Sequence, residues 1–195
     1  MSAALLLAAG EARRFGSDKR LHPLPDGRPI LLACAETYLA VFDTLWVVTK
    51  PHEPHIAALL QTTNAQMLQA DGAKLGMGYS LAEAAQSIRR HYRGSLFVGL
   101  ADMPYVAPTT LRLCEAQLHA VATQEKRVIQ PRYQQQPGNP VGFSAAIVDQ
   151  LTQCTGDQGA RGLIRAARQA GQVSYVDVAD PGILHDIDTP SALST

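Results

Sequence analysis

Cysteine is scarce: the three residues at 34, 114 and 154 stand far apart and form no Cys-x-x-Cys pair and no Cys/His cluster. That pattern excludes a disulfide framework and a zinc-finger-like site, and leaves reduced, buried thiols as the expectation. Charge of either sign is also thin, with 17 Lys and Arg balancing 17 Asp and Glu. No basic face advertises nucleic acid, and no acidic block suggests a solvated tail. Apolar runs are short, none approaching the roughly 20 residues that span a bilayer. The apolar opening over 2–9 lacks a basic leader and meets Glu11, Arg13 and Arg14 before it reaches signal-peptide length, so it reads as a strand. A soluble, cytoplasmic protein is expected, with neither nucleic acid nor membrane as partner. The histidines at 22, 52, 55, 91, 119 and 185 show no metal-ligand spacing, and no paired nucleophile and base stands out.

What is present is an alternation of strand and helix patterns over 195 residues, without repeat or linker. The length suits one domain with a sizeable core, spanning 1–195. Strands are predicted over 3–8, 44–49, 66–68, 95–100, 128–130 and 173–178. Helices are predicted over 30–40, 56–61, 80–90 and 108–122, another leading from 144 toward 151, and one after 161. The expected fold class is α/β, a Rossmann-like, mostly parallel sheet with helices on both faces.

The stretch Leu7-Ala8-Ala9-Gly10-Glu11-Ala12-Arg13-Arg14-Phe15-Gly16-Ser17-Asp18-Lys19 organises the rest. An apolar strand runs into a glycine-bounded loop with fixed cations. Gly10 and Gly16 can take backbone angles closed to other residues, so that main-chain N–H groups turn inward on an anion. Arg14 suits a bidentate grip on phosphate oxygens, and Lys19 is a movable point charge. The Walker form fails on spacing, because five residues separate the glycines and Lys19 comes three positions late; the dinucleotide fingerprint fails for want of a glycine at 12. A triphosphate site is the reading, against a plain surface turn with solvated cations.

A second glycine-rich loop, Asp71-Gly72-Ala73-Lys74-Leu75-Gly76-Met77-Gly78-Tyr79-Ser80, precedes an Ala-rich helix. Its N-terminus can meet a phosphate, base or ribose, and Ser80 can equally be a helix cap. Leu75 and Met77 read as packing residues. Asp102, in Ala101-Asp102-Met103-Pro104, falls at the carboxyl end of a strand, where ligands gather in open α/β sheets. Asp188, in Asp186-Ile187-Asp188-Thr189-Pro190, is a second carboxylate, and Asp186 shares its face if the segment is extended. Each Asp-x-Pro motif alone also fits a turn or helix entry. Nucleotidyl transfer needs charge neutralised on phosphates, and Mg²⁺ takes a few carboxylate oxygens together with phosphate and water.

Leu-Ala-Ala-Gly-x-x-x-Arg-Phe-Gly-x-x-Lys resembles the signature loop of the Rossmann-like nucleotidyltransferases, and within the MobA-like NTP transferases it is most similar to the molybdenum cofactor cytidylyltransferases. Ala12 stands where that group usually has Ser. The resemblance implies that Asp102 and Asp188 hold Mg²⁺, and that Gly76, Gly78 and Ser80 contact the nucleotide. It also implies that Leu7 joins the nucleotide-binding residues, and that Ala8, Ala9 and Gly10, with the segment from Lys74 to Ser80, form a pocket for a pyrimidine base. Gly138-Asn139-Pro140-Val141-Gly142-Phe143 is similar to a Gly-His-Pro segment, with Asn139 replacing His, and Gly156-Asp157-Gln158-Gly159-Ala160-Arg161 to Gly-Asp-x-Gly-Ala-Arg. Both are expected to face the acceptor, Asn139 as a neutral contact and Arg161 on its phosphate. The implied reaction moves a nucleoside monophosphate from CTP to the molybdopterin form of the molybdenum cofactor with release of pyrophosphate, and the implied partners include a molybdoenzyme or its maturation factor. Guanylyl transfer to the same cofactor, transfer to a sugar or alcohol phosphate, and a non-catalytic cofactor carrier remain the alternatives. A carrier would not need Lys19, Asp102 and Asp188 together.

Overall fold

The computed structural model describes residues 2–10, 15–122 and 124–189. Its centre is β1 (Ser2–Leu7), which feeds two cores at once because successive side chains leave opposite faces of a strand. Ala4, Leu6 and Ala8 join Val47 and Phe97 on one face, while Ala3, Leu5 and Ala9 join Trp46, Val48, Leu96 and Val98 on the other. Burial on both sides is why this strand is apolar throughout instead of alternating.

The remaining strands are β2 (Leu45–Thr49), β3 (Gln66–Gln69), β4 (Ser95–Leu100), β5 (Val128–Tyr133), β6 (Gln136–Pro137), β7 (Val141–Phe143) and β8 (Val173–Asp177). They form one sheet ordered β3-β2-β1-β4-β7-β5, with β6 a hairpin arm of β5 and β8 paired to β5. The strands from β1 to β4 are parallel, β7 runs against both β4 and β5, and β8 is parallel to β5. The expected mostly parallel α/β sheet is therefore what the chain forms.

The first core is covered by α1 (Ile30–Leu39), α2 (Pro54–Leu60) and α4 (Pro108–His119). On the second lie α3 (Met77–Arg89), α5 (Ala145–Val148) and α6 (Arg161–Gln169). Gly99 lets α1 pack closely on the first face, since a Cβ there would lie 2.1 Å from the buried Tyr38 hydroxyl. Among the described residues no helix is long and apolar enough to cross a membrane.

Two local expectations change. The segment expected to lead straight into a helix contributes β7 instead, because Val141 and Phe143 are buried in the sheet and Gly142 leaves room for the Phe97 ring. The helix behind it is one turn long and continues as a 3₁₀ segment over Asp149–Gln153. Likewise α3 starts at Met77 and not at Ser80: Gly76, at φ +127°, terminates the preceding 3₁₀ turn Asp71–Leu75, and Ser80 Oγ donates to the Met77 carbonyl inside the helix at 3.0 Å.

The order matters for function at one place. From β1 the chain moves to β2 and β3 on one side and returns to β4 on the other, so the carboxyl ends of β1 and β4 flank the switch in direction where α/β sheets open a crevice.

Candidate active site

At that switch the chain leaves β1 through Ala8 and Ala9, and the glycine loop ends on Gly16, whose φ of +75° favours glycine. Asp18 then caps a single 3₁₀ turn, Lys19–Leu21, by accepting the Arg20 N–H at 3.1 Å. At about three residues per turn, consecutive side chains of such a turn point far apart. Lys19 reaches toward β4 and Arg20 toward β2.

Lys19 Nζ donates to Asp102 Oδ2 at 2.6 Å, to the Ile187 carbonyl at 3.3 Å and to Asp188 Oδ1 at 3.4 Å. The returning C-terminal segment is pinned there by the Ile187 N–H, which donates to the Asp102 carbonyl at 2.9 Å. Asp102, Asp186 and Asp188 each present a carboxylate oxygen within 4.8 Å of the others. Burial draws the Lys19 ammonium downward, but its bonds and charge pairing with Asp102 and Asp188 outweigh that and hold its pKa above the usual value. For Asp102 the balance reverses. Its deeper burial pushes the carboxyl above the usual range despite Lys19, and Asp186 adds to the push.

Asp102 Oδ1 is buried and has no hydrogen-bond partner among the described residues. An orphaned carboxylate oxygen beside two further carboxylates is a donor set that fits a small divalent cation, with Asp102, Asp186 and Asp188 as the residues to hold it.

A cleft of about 790 Å³ opens beside this cluster. Its lining includes Leu7, Ala8, Ala9 and Gly10 from the end of β1, Gly16 and Lys19 beyond the loop, Asp102 after β4, and Lys74, Gly76 and Ser80 from the second glycine segment. Ten of the residues singled out from the sequence thus meet around one space. Asp188 joins them through Lys19. Arg14 lies outside the described residues. Gly78 does not face the cleft: it is buried, and its N–H donates to the Gly156 carbonyl at 2.7 Å. Asn139 is half-buried at the same end of the sheet, where the pairing of Val141 with Val98 carries it, and its N–H is taken by the Ile183 carbonyl at 2.9 Å. Arg161 is exposed at the first turn of α6. Neither lines the cleft.

Sequence reasoning missed Arg20, Lys50 and Glu53 in the lining and took Leu75 and Met77 for packing residues. Leu75 is 65% exposed, and Met77 lies in the cleft wall. Asp157, read as acceptor-facing, lines the cleft beside Gly76. Arg20 is held by Asp18 and Glu53, whose bonds and charges raise its pKa against the opposing effect of burial. Its direct adjacency to Lys19 was the available signal.

A model of the MobA-like NTP transferase domain matches residues 4–173. Among curated proteins, the bifunctional protein GlmU of Roseobacter denitrificans is 33% identical over 125 residues, 61% of this chain but only 27% of GlmU, so the chain corresponds to about a quarter of that relative. The purine catabolism protein PucB of Bacillus subtilis is 25% identical over 193 residues, 95% of this chain and 91% of PucB. Among solved structures, Rv0371c of Mycobacterium tuberculosis superposes with a TM-score of 0.76 at 26% identity, covering 99% of this chain and 95% of that one. A complex of Rv0371c with manganese superposes at 0.72 and 25% identity, covering 99% and 96%. The chain belongs to the MobA-like NTP transferase family and is a nucleotidyltransferase of that family.

Proposed function

We propose that this nucleotidyltransferase moves a cytidylyl group from CTP to the terminal phosphate of the molybdopterin form of the molybdenum cofactor, with Mg²⁺ as its metal. The observation that carries the chemical part is the meeting of Lys19, Asp102 and Asp188 at the carboxyl ends of β1 and β4, beside the cleft. An acceptor phosphate oxygen forms the new bond to the α-phosphorus, the bond from that phosphorus to the β-phosphate bridging oxygen breaks, and pyrophosphate leaves.

Each residue then has a task. Gly10 and Gly16 let backbone N–H groups face the triphosphate tail, with Arg14 as its bidentate partner. Lys19, half-buried and kept protonated by its carboxylate neighbours, presents a fixed positive charge where negative charge accumulates on the transferred phosphoryl group. Asp102, Asp186 and Asp188 would hold Mg²⁺, which when bound supplies further neutralisation of the phosphates. The manganese complex of Rv0371c supports a divalent cation in a relative of similar length. Asn139, at the strand end adjoining Asp102, and Arg161 are the proposed acceptor contacts.

Base choice rests on the backbone of Ala8 to Gly10 and on the cleft-lining Lys74, Gly76 and Ser80 of the second glycine segment, which would present main-chain groups to a cytosine edge. A buried polar group left without its partner costs about 1 to 3 kcal/mol, or roughly fivefold to over a hundredfold in selectivity. Pyrophosphate release, measured with CTP, UTP, ATP and GTP in the presence of Mg²⁺ and molybdopterin, tests the reading. CTP should lead by at least about tenfold. A lead for GTP would assign guanylyl transfer, and no release with any of the four would overturn transfer to this acceptor.

A further inference from the structure

Arg20 sits in the cleft wall and is 9% exposed. Its Nε donates to Asp18 Oδ1 at 2.8 Å, its Nη1 to the Ala8 carbonyl at 2.7 Å and Glu53 Oε2 at 2.8 Å, and its Nη2 to Asp18 Oδ2 at 2.6 Å and Glu53 Oε1 at 2.5 Å. A guanidinium has five N–H donors in a rigid fork, and here each one has an acceptor. None is left for a phosphate. An arginine in an anion site that is wholly engaged by protein groups must matter through those groups.

The positions of its partners say how. Ala8 is where the chain leaves β1 for the glycine loop, and Asp18 caps the turn that follows that loop. Glu53 immediately precedes α2 and also accepts the Lys50 N–H at 3.0 Å, which ties the cluster to the end of β2. Lys19 lies between Asp18 and Arg20, the two residues so held. Its ammonium ends a flexible four-carbon stem, and the direction of that stem depends on where its backbone is fixed.

We propose that Arg20 is a positioning residue that clamps both ends of the glycine loop to the end of β2 and thereby holds Lys19 Nζ against Asp102, acting on the reaction through Lys19 and not on the substrate. The proposal rests on the transferase reading for its kinetic part only.

A double-mutant cycle in kcat tests it. Arg20→Lys keeps the charge but loses the fork; it should lower kcat on the order of tenfold while the nucleotide KM changes less, and should have no further effect in a Lys19→Ala background. Multiplying effects would show that Arg20 acts independently of Lys19 and would overturn the proposal. Should Arg20→Lys fail to fold, Asp18→Asn, which weakens one side of the clamp, enters the same cycle with the same two outcomes. Amide hydrogen exchange gives a readout that needs no turnover. In Arg20→Lys, peptides covering 7–10 and 15–21 should exchange about tenfold faster while the β4 peptide over 95–100 keeps its rate; uniform acceleration, or none, would overturn the clamp. Absence of turnover in the wild-type protein would count against the transferase reading and leave the exchange result to decide the clamp.

Discussion

The Gly78 N–H donates to the carbonyl of Gly156 at 2.7 Å, across nearly eighty positions of sequence. The contact joins two glycine-containing segments that look independent in the chain. A Cβ on Gly78 would lie 2.4 to 2.8 Å from backbone atoms of Thr155, and one on Gly76 would lie 2.3 Å from Asp157 Oδ1 and 2.6 Å from the Gly156 carbonyl. These glycines are there so that the 155–157 backbone can close one wall of the cleft. Asp157 is carried into the lining as a result.

Gly78→Ala should accordingly destabilise the fold by about 1–3 kcal/mol, as overpacking against rigid backbone does, and raise the nucleotide KM by displacing that wall. Urea unfolding and initial-rate kinetics measure the two effects. An unchanged denaturation midpoint would show that the wall yields without cost.

Lys19→Ala should lower kcat on the order of 10²-fold or more, by analogy with loss of one donor to a developing oxyanion. Arg14→Ala should mainly raise the nucleotide KM. Steady-state kinetics on both separate the roles, and small equal effects would mean that neither cation acts on the nucleotide.

The sheet was legible because β1, β2 and β4 are buried on both faces and spell that burial in unbroken apolar runs. Lys19, Asp102 and Asp188, which the structure brings together, could be singled out because the loop signature and the two Asp-x-Pro motifs are local. The rest depends on distant backbone. Nothing local to 139–144 tells a strand from a helix entry, since β7 is decided by the fit of Gly142 to Phe97. The role of Arg20 depends on Glu53, 33 positions away, and an arginine beside a lysine reads as solvated charge until that partner is in place.

The clamp gives a pH dependence. The Arg20 guanidinium beside Asp18 holds its carboxyl below the usual range, against the opposing effect of burial. A depressed folded-state value means a contribution to stability that is present above the unfolded value and lost as pH falls through the folded one, that is, below about pH 4. Thermal melts of the wild-type protein should therefore fall more steeply between about pH 4 and pH 2 than those of Asp18→Asn. Parallel profiles would mean that the carboxylate contributes nothing to the fold.

Metal binding should separate the two partners of the central ion pair. Lys19 now occupies Asp102 Oδ2 at 2.6 Å and approaches Asp188 Oδ1 at 3.4 Å, so its ammonium competes with any cation for the same carboxylates, while Asp102 Oδ1 is buried and has no hydrogen-bond partner among the described residues. Removing a competing charge strengthens cation binding, and removing a ligand weakens it. Manganese titration of the nucleotide-free protein should thus show tighter binding in Lys19→Ala and weaker binding in Asp102→Asn and Asp188→Asn, by about tenfold in each direction. Turnover should fall in all three, because the lysine is needed once phosphate arrives. Asp102→Asn should lose far more activity than stability, since burial already works against its charge. Weaker manganese binding in Lys19→Ala would place the cation elsewhere in the cleft and leave the carboxylate cluster as a scaffold for Lys19 alone.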